Sequence, residues 1–372
     1  MKQICLTGAL VSAAAMTAWG AAPQFWNLGA GYEATGISDN GVIVGTDTFS
    51  NQYFMWTAGG GVSLIGGVGG NDGYGGQAKI SRDGSRVGGT NINSDTGKGE
   101  AAIYNVGLGT WTNLGGIGGT VDNSTSSGWG LSGDGQTLVG LGWTSGSEAR
   151  AVRWTQGSGM VDMGTSSPGF ASRANATNHN GTVIGGWQDN DNGRQGAVWI
   201  NGAQKLLFDN NGFAVSEALA VSSDGQWVTG VAYGALSPYR YNTVTEVLEY
   251  LPMVSGDFFF PTALGTAISD DGSTIVGSVR DFGPPFGAPG FIWRDGFGAM
   301  TLNEYFDSMG VMYEDGFFFS APLAMSGDGL TMSGYGISPT EGLVGWVVTV
   351  PTPGTALALG LGLMGTLRRR RV

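Results

Sequence analysis

The chain is poor in the residues on which most catalytic and metal chemistry depends. It holds one histidine, His179, and one cysteine, Cys5. A single imidazole and no second thiol leave a zinc site only carboxylates, and a disulfide framework is ruled out. No G-x-S-x-G occurs, so a serine hydrolase would have neither its nucleophile elbow nor a base. Charge is scarce too: only 12% of residues are charged, with 17 Lys and Arg against 29 Asp and Glu, for a net charge of −12. Four of those cations, Arg368 to Arg371, sit together at one end, so the body is more acidic still. That balance argues against nucleic acid or an anionic membrane surface as partner and suits an exported, soluble chain.

Glycine is abundant instead, with 70 residues in 372, which is too many for a helical protein. It shows no G-X-Y period, and recurrent Ile, Val and Trp anchors mark a folded β protein. The recurring unit is clearest in Ile268-Ser269-Asp270-Asp271-Gly272-Ser273-Thr274-Ile275-Val276-Gly277. An apolar residue and a serine end one strand, Asp-Gly tolerates the positive φ of a tight turn, and Ile-Val-Gly opens the returning strand. The turn glycine falls at Gly41, Gly84, Gly135, Gly181, Gly225, Gly272 and Gly329, at spacings of 43 to 57 residues. Each interval matches one four-stranded propeller blade.

Strands A and B flank the turn. Strand C carries an aromatic, as in Phe54-Met55-Trp56, Ala197-Val198-Trp199 and Phe291-Ile292-Trp293, with the rings expected to fill the wedges between blades. The missing side chain of the strand B glycine is expected to let the next sheet approach. Strand D is read at Val62–Ile65, Trp111–Leu114, Met160–Met163, Lys205–Phe208, Val247–Tyr250 and Met300–Asn303. Six D strands for seven hairpins leave one blade short. Phe25-Trp26-Asn27-Leu28-Gly29 nearly copies Thr110-Trp111-Thr112-Asn113-Leu114-Gly115, so the N-terminal segment is predicted to complete the last blade. The expected fold is therefore an all-β, seven-bladed propeller over residues 23–349, closed by an N-terminal strand that removes the open edges.

The order A-x-x-I-S/N, D-G-x-x-V-G, aromatic strand and L-G-G resembles the HAF repeat family of exported bacterial proteins, over roughly residues 25–350. The literal His-Ala-Phe is replaced here by triplets such as Gln52-Tyr53-Phe54 or Arg150-Ala151-Val152. The resemblance implies a surface propeller and no particular reaction. Sialidase-type Asp boxes place a residue between Asp and Gly; here the two are adjacent.

Both ends read as addresses. Lys2, the apolar run Ile4 to Met16 and the small residues Ala18 to Ala22 form a signal peptide over residues 1–22, with cleavage favoured after Gly20. At the other end, residues 350–372 hold Pro351-Thr352-Pro353-Gly354, an apolar run to Leu367, and Arg368, Arg369, Arg370 and Arg371. As a helix that run would be about 20 Å long against a hydrocarbon core of about 30 Å. The arginines would stay cytoplasmic and leave the body outside. The arrangement resembles the PEP-CTERM sorting signal, with Thr352 where glutamate is usual. The resemblance implies handling by signal peptidase and an exosortase-like enzyme, transient membrane anchoring through the C-terminal segment alone, and display at the cell surface or in the extracellular matrix. A plain C-terminal anchor is the alternative. Gly360-Leu361-Gly362-Leu363-Met364-Gly365 matches G-x-G-x-x-G, but no strand precedes it, so no dinucleotide site is read there.

Candidates for chemistry are few, and no cofactor is expected. His179 reads as a solvated turn residue. Asp189-Asn190-Asp191-Asn192-Gly193 is either a hairpin tip or a structural calcium site, and it fails the EF-hand register. Three loops expected on one face are rich in phenylalanine: Phe258, Phe259 and Phe260; Phe282 and Phe286; Phe317, Phe318 and Phe319. These rings either cap the channel or form a platform for an extracellular glycan or surface protein. The favoured function is a non-catalytic binding or structural module. The alternative is a polysaccharide-active enzyme using two carboxylates at the channel mouth.

Overall fold

The computed structural model describes residues 22–69, 75–255, 261–281 and 288–351. Among them lie seven four-stranded antiparallel sheets, each one blade of a propeller. The innermost A strands are Tyr32–Ile37, Lys79–Ile80, Ser126–Leu131, Ser172–Thr177, Glu217–Val221, Pro261–Ile268 and Phe318–Met325, in blades 1 to 7. The seventh blade borrows its outermost strand, β1 (Gln24–Ala30), from the beginning of the ring. Phe25 pairs with Val348 and Asn27 with Trp346, as the near-repeat of the Trp111 segment predicts. Phe25 then packs edge-on against Phe317 at 5.1 Å, so closure is a hydrophobic lock as well as a ladder.

The turn motif is held by its own side chains. In blade 2 the Ser81 hydroxyl donates to Asp83 Oδ1 at 2.6 Å and accepts from the Arg86 N–H at 3.0 Å. Asp83 Oδ1 also accepts from the Ser85 N–H at 2.9 Å. Ser269 and Asp271 repeat the scheme in blade 6. Hydrogen bonds from the turn serines hold the carboxyls of Asp83 and Asp271 below the usual range.

Strand C aromatics fill the inter-blade space as expected: Trp199 and Trp346 are fully buried. The strand B glycine admits the next sheet as expected in blades 2 and 4, where a Cβ on Gly88 would meet Leu131 and Leu138 and one on Gly185 would meet Ala218 and Val221; in other blades its partner is different. A Cβ on Gly45, Gly230 or Gly334 would lie about 2 Å from the carbonyl oxygen of Glu33, Glu217 or Ala321, in strand A of the same blade. The cause is a β-bulge near the middle of strand A, seen between Ala34 and Gly36 and between Ala218 and Ala220.

Four D strands end earlier than read, by one residue in blades 2 and 3, at Asn113 and Asp162, and by two in blades 4 and 6. In blade 4 the strand is Ala203–Leu206. In blade 6 it is Gly298–Thr301, and Leu302 and Asn303 instead begin helix α1 (Leu302–Ser308). Thr301 and Glu304 form a capping box, satisfying backbone donors at the helix start. This T-x-x-E signal was present in the sequence. Among the described residues no helix is long and apolar enough to cross a membrane.

Candidate functional site

The A strands line an axial channel with two dissimilar ends. At one end the turns converge. The residue after each turn serine, or after Asn178 in blade 4, faces its neighbours around the axis: Asp39, Arg82, Gly133, His179, Ser223, Asp270 and Gly327. Backbone bonds join neighbouring turns, from Asp39 N–H to Arg82 C=O, Arg82 N–H to Gly133 C=O, His179 N–H to Ser223 C=O and Asp270 N–H to Gly327 C=O. Arg82 spans this mouth. Its Nε donates to Asp39 at 3.1 Å, Nη1 to Ser223 Oγ at 2.7 Å and Nη2 to Asp270 at 2.6 Å. Burial works against the charge, yet Asp270 and then Asp39 carry the guanidinium above its ordinary pKa. Glycine leaves the room this takes: a Cβ on Gly327 would overlap Arg82 Nη2, and one on Gly133 would come within 3.0 Å of Arg82 Cγ. His179 is exposed beside this mouth, as read from sequence.

The middle of the channel is a cavity of about 180 Å³, walled by small residues such as Gly36, Gly130, Ala176, Ala220 and Ala267. At the far end it widens into a chamber of about 420 Å³. The bulges build this chamber. The extra residue in each bulge turns toward the axis, placing Trp129, Asn175, Leu219, Thr266 and Leu323 in its wall. Glu33, Gln77, Lys79, Arg173, Glu217, Tyr233, Arg280 and Tyr335 complete the polar lining.

Arg173 is the best-defined group in the chamber. Its guanidinium lies 3.8 Å from the Trp129 ring centre and 5.4 Å from that of Trp187. Arg194 covers Trp187 in turn at 3.7 Å, extending an alternating indole and guanidinium stack across blades 3 and 4. Arg194 Nη1 donates to Glu217 at 2.9 Å, and its Nε to Asp189 at 3.2 Å. Arg173 Nε donates to Asn175 Oδ1 at 2.8 Å. Burial lowers the Arg173 pKa to about 10, with Glu217 opposing the fall and Arg194 adding to it. Lys79 Nζ donates to the Thr35 carbonyl at 2.7 Å, and burial lowers its pKa to about 8. Tyr335 is pushed up to about 12 by burial and by the charge of Glu33.

The phenylalanine loops divide. Phe317 and Phe319 are buried in a cluster with Phe25, Phe306 and Trp346, in the wedge between blades 6 and 7. Phe318 is half-buried in strand A of blade 7. Phe258, Phe259, Phe260, Phe282 and Phe286 lie outside the described residues, as do Pro353, Gly354 and Arg368 to Arg371 of the tail; Pro351 is buried. The Asp189 to Gly193 segment is the tip of a hairpin in which Asn190 pairs with Gly193. Asp189 is engaged by Arg194, and no group of three or more His, Cys, Asp or Glu able to hold a metal occurs among the described residues.

Reading the sequence for chemistry missed Lys79, Trp129 and Arg173. Aligned on the turn serine, or Asn178 in blade 4, the residue two places earlier is Gly36, Lys79, Gly130, Ala176, Ala220, Ala267 and Ala324. One lysine in a column of glycine and alanine is a signal the sequence did contain.

No family model matches the chain, and no curated protein is similar to it in sequence. Solved structures share its fold. An oligogalacturonate lyase in complex with manganese is 11% identical over 89% of this chain and 94% of its own, with a TM-score of 0.57. The β-propeller domain of the Trilobed protease from Pyrococcus furiosus, described as having an open velcro topology, is 12% identical over 86% of this chain and 95% of its own, with a TM-score of 0.52. Identities this low speak for architecture alone. This chain is an all-β, seven-bladed propeller whose ring is closed by its own N-terminal strand.

Proposed function

We propose that this propeller is an exported, non-catalytic binding module displayed at the cell surface or in the extracellular matrix, with its ligand seated in the axial chamber. The observation that carries the reading is the chamber itself. It is of ligand size, and it gathers Trp129, two tyrosines and several charged groups on a rigid ring. The opposite mouth is spanned by Arg82, so a ligand would come from the chamber side.

Export is proposed from the two ends of the sequence, which resemble a signal peptide and a PEP-CTERM sorting signal. Intact-mass measurement of protein recovered from the cell surface tests it: loss of Arg368 to Arg371 is expected, and their retention would favour a plain anchor. Binding is tested by presenting the full chain to a glycan array beside a Trp129→Ala variant. A glycan retained by the parent and lost by the variant is expected; absence of any chamber-dependent ligand would remove the reading.

A second reading, a polysaccharide-active enzyme, draws on Glu33 and Glu217, two carboxylates in one chamber. The fold also serves an oligogalacturonate lyase, so it accommodates catalysis without requiring it. New reducing ends released from polysaccharide by the parent, and abolished in Glu217→Gln, would favour the enzyme.

A further inference from the structure

We infer that the chamber selects a short carboxylate-bearing saccharide, a uronic acid unit, through Lys79, Arg173 and Arg280, with the two chamber tyrosines against its ring. This inference rests on the chamber being a binding site, and it names the class of ligand.

Positive charge is scarce in this chain, which carries 17 Lys and Arg in 372 residues, yet three of these line one chamber. Their polar valence is not used up by the protein. Arg173 lies over two indoles, and its Nε alone makes a hydrogen bond to a described residue. Guanidinium donors lie in a plane, so what Arg173 has left to offer is an in-plane edge, the geometry that matches a carboxylate. Lys79 Nζ spends one of its three donors on the Thr35 carbonyl. No described residue forms an ion pair with Arg280, which is exposed.

The two half-buried cations, Lys79 and Arg173, are also short of compensation. Burial depresses both the Lys79 and the Arg173 pKa, so their charged forms pay for lost water, and an incoming anion would offset that cost. The Glu217 carboxylate faces Arg194, at 2.9 Å, as well as the chamber.

Acceptors and aromatic faces decide between an acid sugar and a bare oxyanion. Glu33 and Glu217 share the chamber with the cations. Carboxylates repel a simple anion but accept hydrogen bonds from hydroxyls, so the mixture fits a ligand that is both acid and polyol. Tyr233 and Tyr335 offer flat surfaces of the kind that sugar rings cover, while Trp129, 8% exposed and already stacked on Arg173, backs the cation. Length is limited as well: the channel narrows to the 180 Å³ midsection and is bridged by Arg82 beyond it, so a polymer cannot thread the ring.

The test is calorimetric titration of the full chain with diglucuronate, its dimethyl ester and inorganic phosphate. The acid is expected to bind at least about tenfold more tightly than the ester, and phosphate to bind far more weakly. Arg280→Gln, a change at an exposed side chain, should weaken the acid several-fold while leaving the melting temperature unchanged. Arg173→Lys, which keeps the charge and loses the planar edge, should weaken it too. Equal binding of acid and ester, unaltered in Arg280→Gln, would overturn the carboxylate assignment and leave the binding-module reading in place. Phosphate matching the acid would overturn the saccharide assignment. No binding by diglucuronate, with a neutral glycan captured through Trp129, would overturn the inference alone; no ligand of either kind would remove both.

Discussion

Arg82 Nη2 donates to Asp270 Oδ2 at 2.6 Å, tying a turn of blade 2 to a turn of blade 6 across the mouth of the channel. The same side chain reaches Asp39 in blade 1 and Ser223 in blade 5. One residue thus links four of the seven blades at the axis, where a ring would otherwise be held only by contacts between neighbours.

Replacing Arg82 with methionine should open this mouth. The partners are partly exposed, so each ion pair is worth roughly 0.2–1 kcal/mol and is screened by salt. We expect a loss on the order of 1 kcal/mol in urea unfolding at low salt, shrinking in 1 M salt. A variant as stable as the parent at both salt concentrations would mean that the bridge only fills space.

The closing strand can be tested at Phe25, whose ring contacts Phe317, Phe319 and Tyr313. Phe25→Ala should cost roughly 3 kcal/mol. Deleting residues 25–29 should expose the edge of the strand Gly342–Thr349 and drive association through it. Light scattering that finds the deletion variant monomeric, with an unchanged melting temperature, would refute ring closure as a source of stability.

Glycine 230 couples the frame to the chamber. A Cβ there would meet the Glu217 carbonyl oxygen at 1.9 Å, so Gly230→Ala must displace the strand that carries Glu217. A cost of at least about 2 kcal/mol is expected, as for other overpacked sites. Gly59→Ala is the control: nothing lies within 4 Å of the added carbon, and it should be neutral or slightly stabilising. Equal effects of the two substitutions on the chemical denaturation midpoint would contradict the close approach.

Lys79 gives stability a pH dependence of known sign. Burial lowers its pKa from 10.5 to about 8, so between these values the unfolded chain binds more protons than the folded one. The cost of burying the charge is therefore fully present below about pH 8 and fades as pH rises toward 10.5. Measured against Lys79→Met, the parent should gain up to about 3 kcal/mol of stability across that window. Parallel stability curves for the two proteins would show that the ammonium remains hydrated.

How far the sequence alone reaches is clearest in blades 1, 6 and 7. Seven turns, five of them Ser-x-Asp-Gly with one Ser-x-Asn-Gly and one Asn-x-Asn-Gly, and the copy of the Trp111 segment at Trp26 are local patterns, set by turn chemistry and by alternation along a strand. They determine the blade count and the closing strand. Helix α1 was equally local, written in Thr301 and Glu304, and its first two residues, Leu302 and Asn303, fall in the segment read as strand D. The phenylalanine triplet at Phe317 shows the limit of such reading: identical rings cap, bind or fill a core according to what lies opposite, and here Phe25 from the other end of the ring lies opposite.

The chamber needed the tertiary structure. Arg82 and Asp270 are 188 residues apart, and Trp129 meets Arg173 only because a bulge turns each inner strand toward the axis. Sequence fixes the position of a residue within its own blade. The rotation that brings seven blades around one axis then makes neighbours of residues that no local pattern connects, so the composition of the chamber is a property of the ring and not of any repeat.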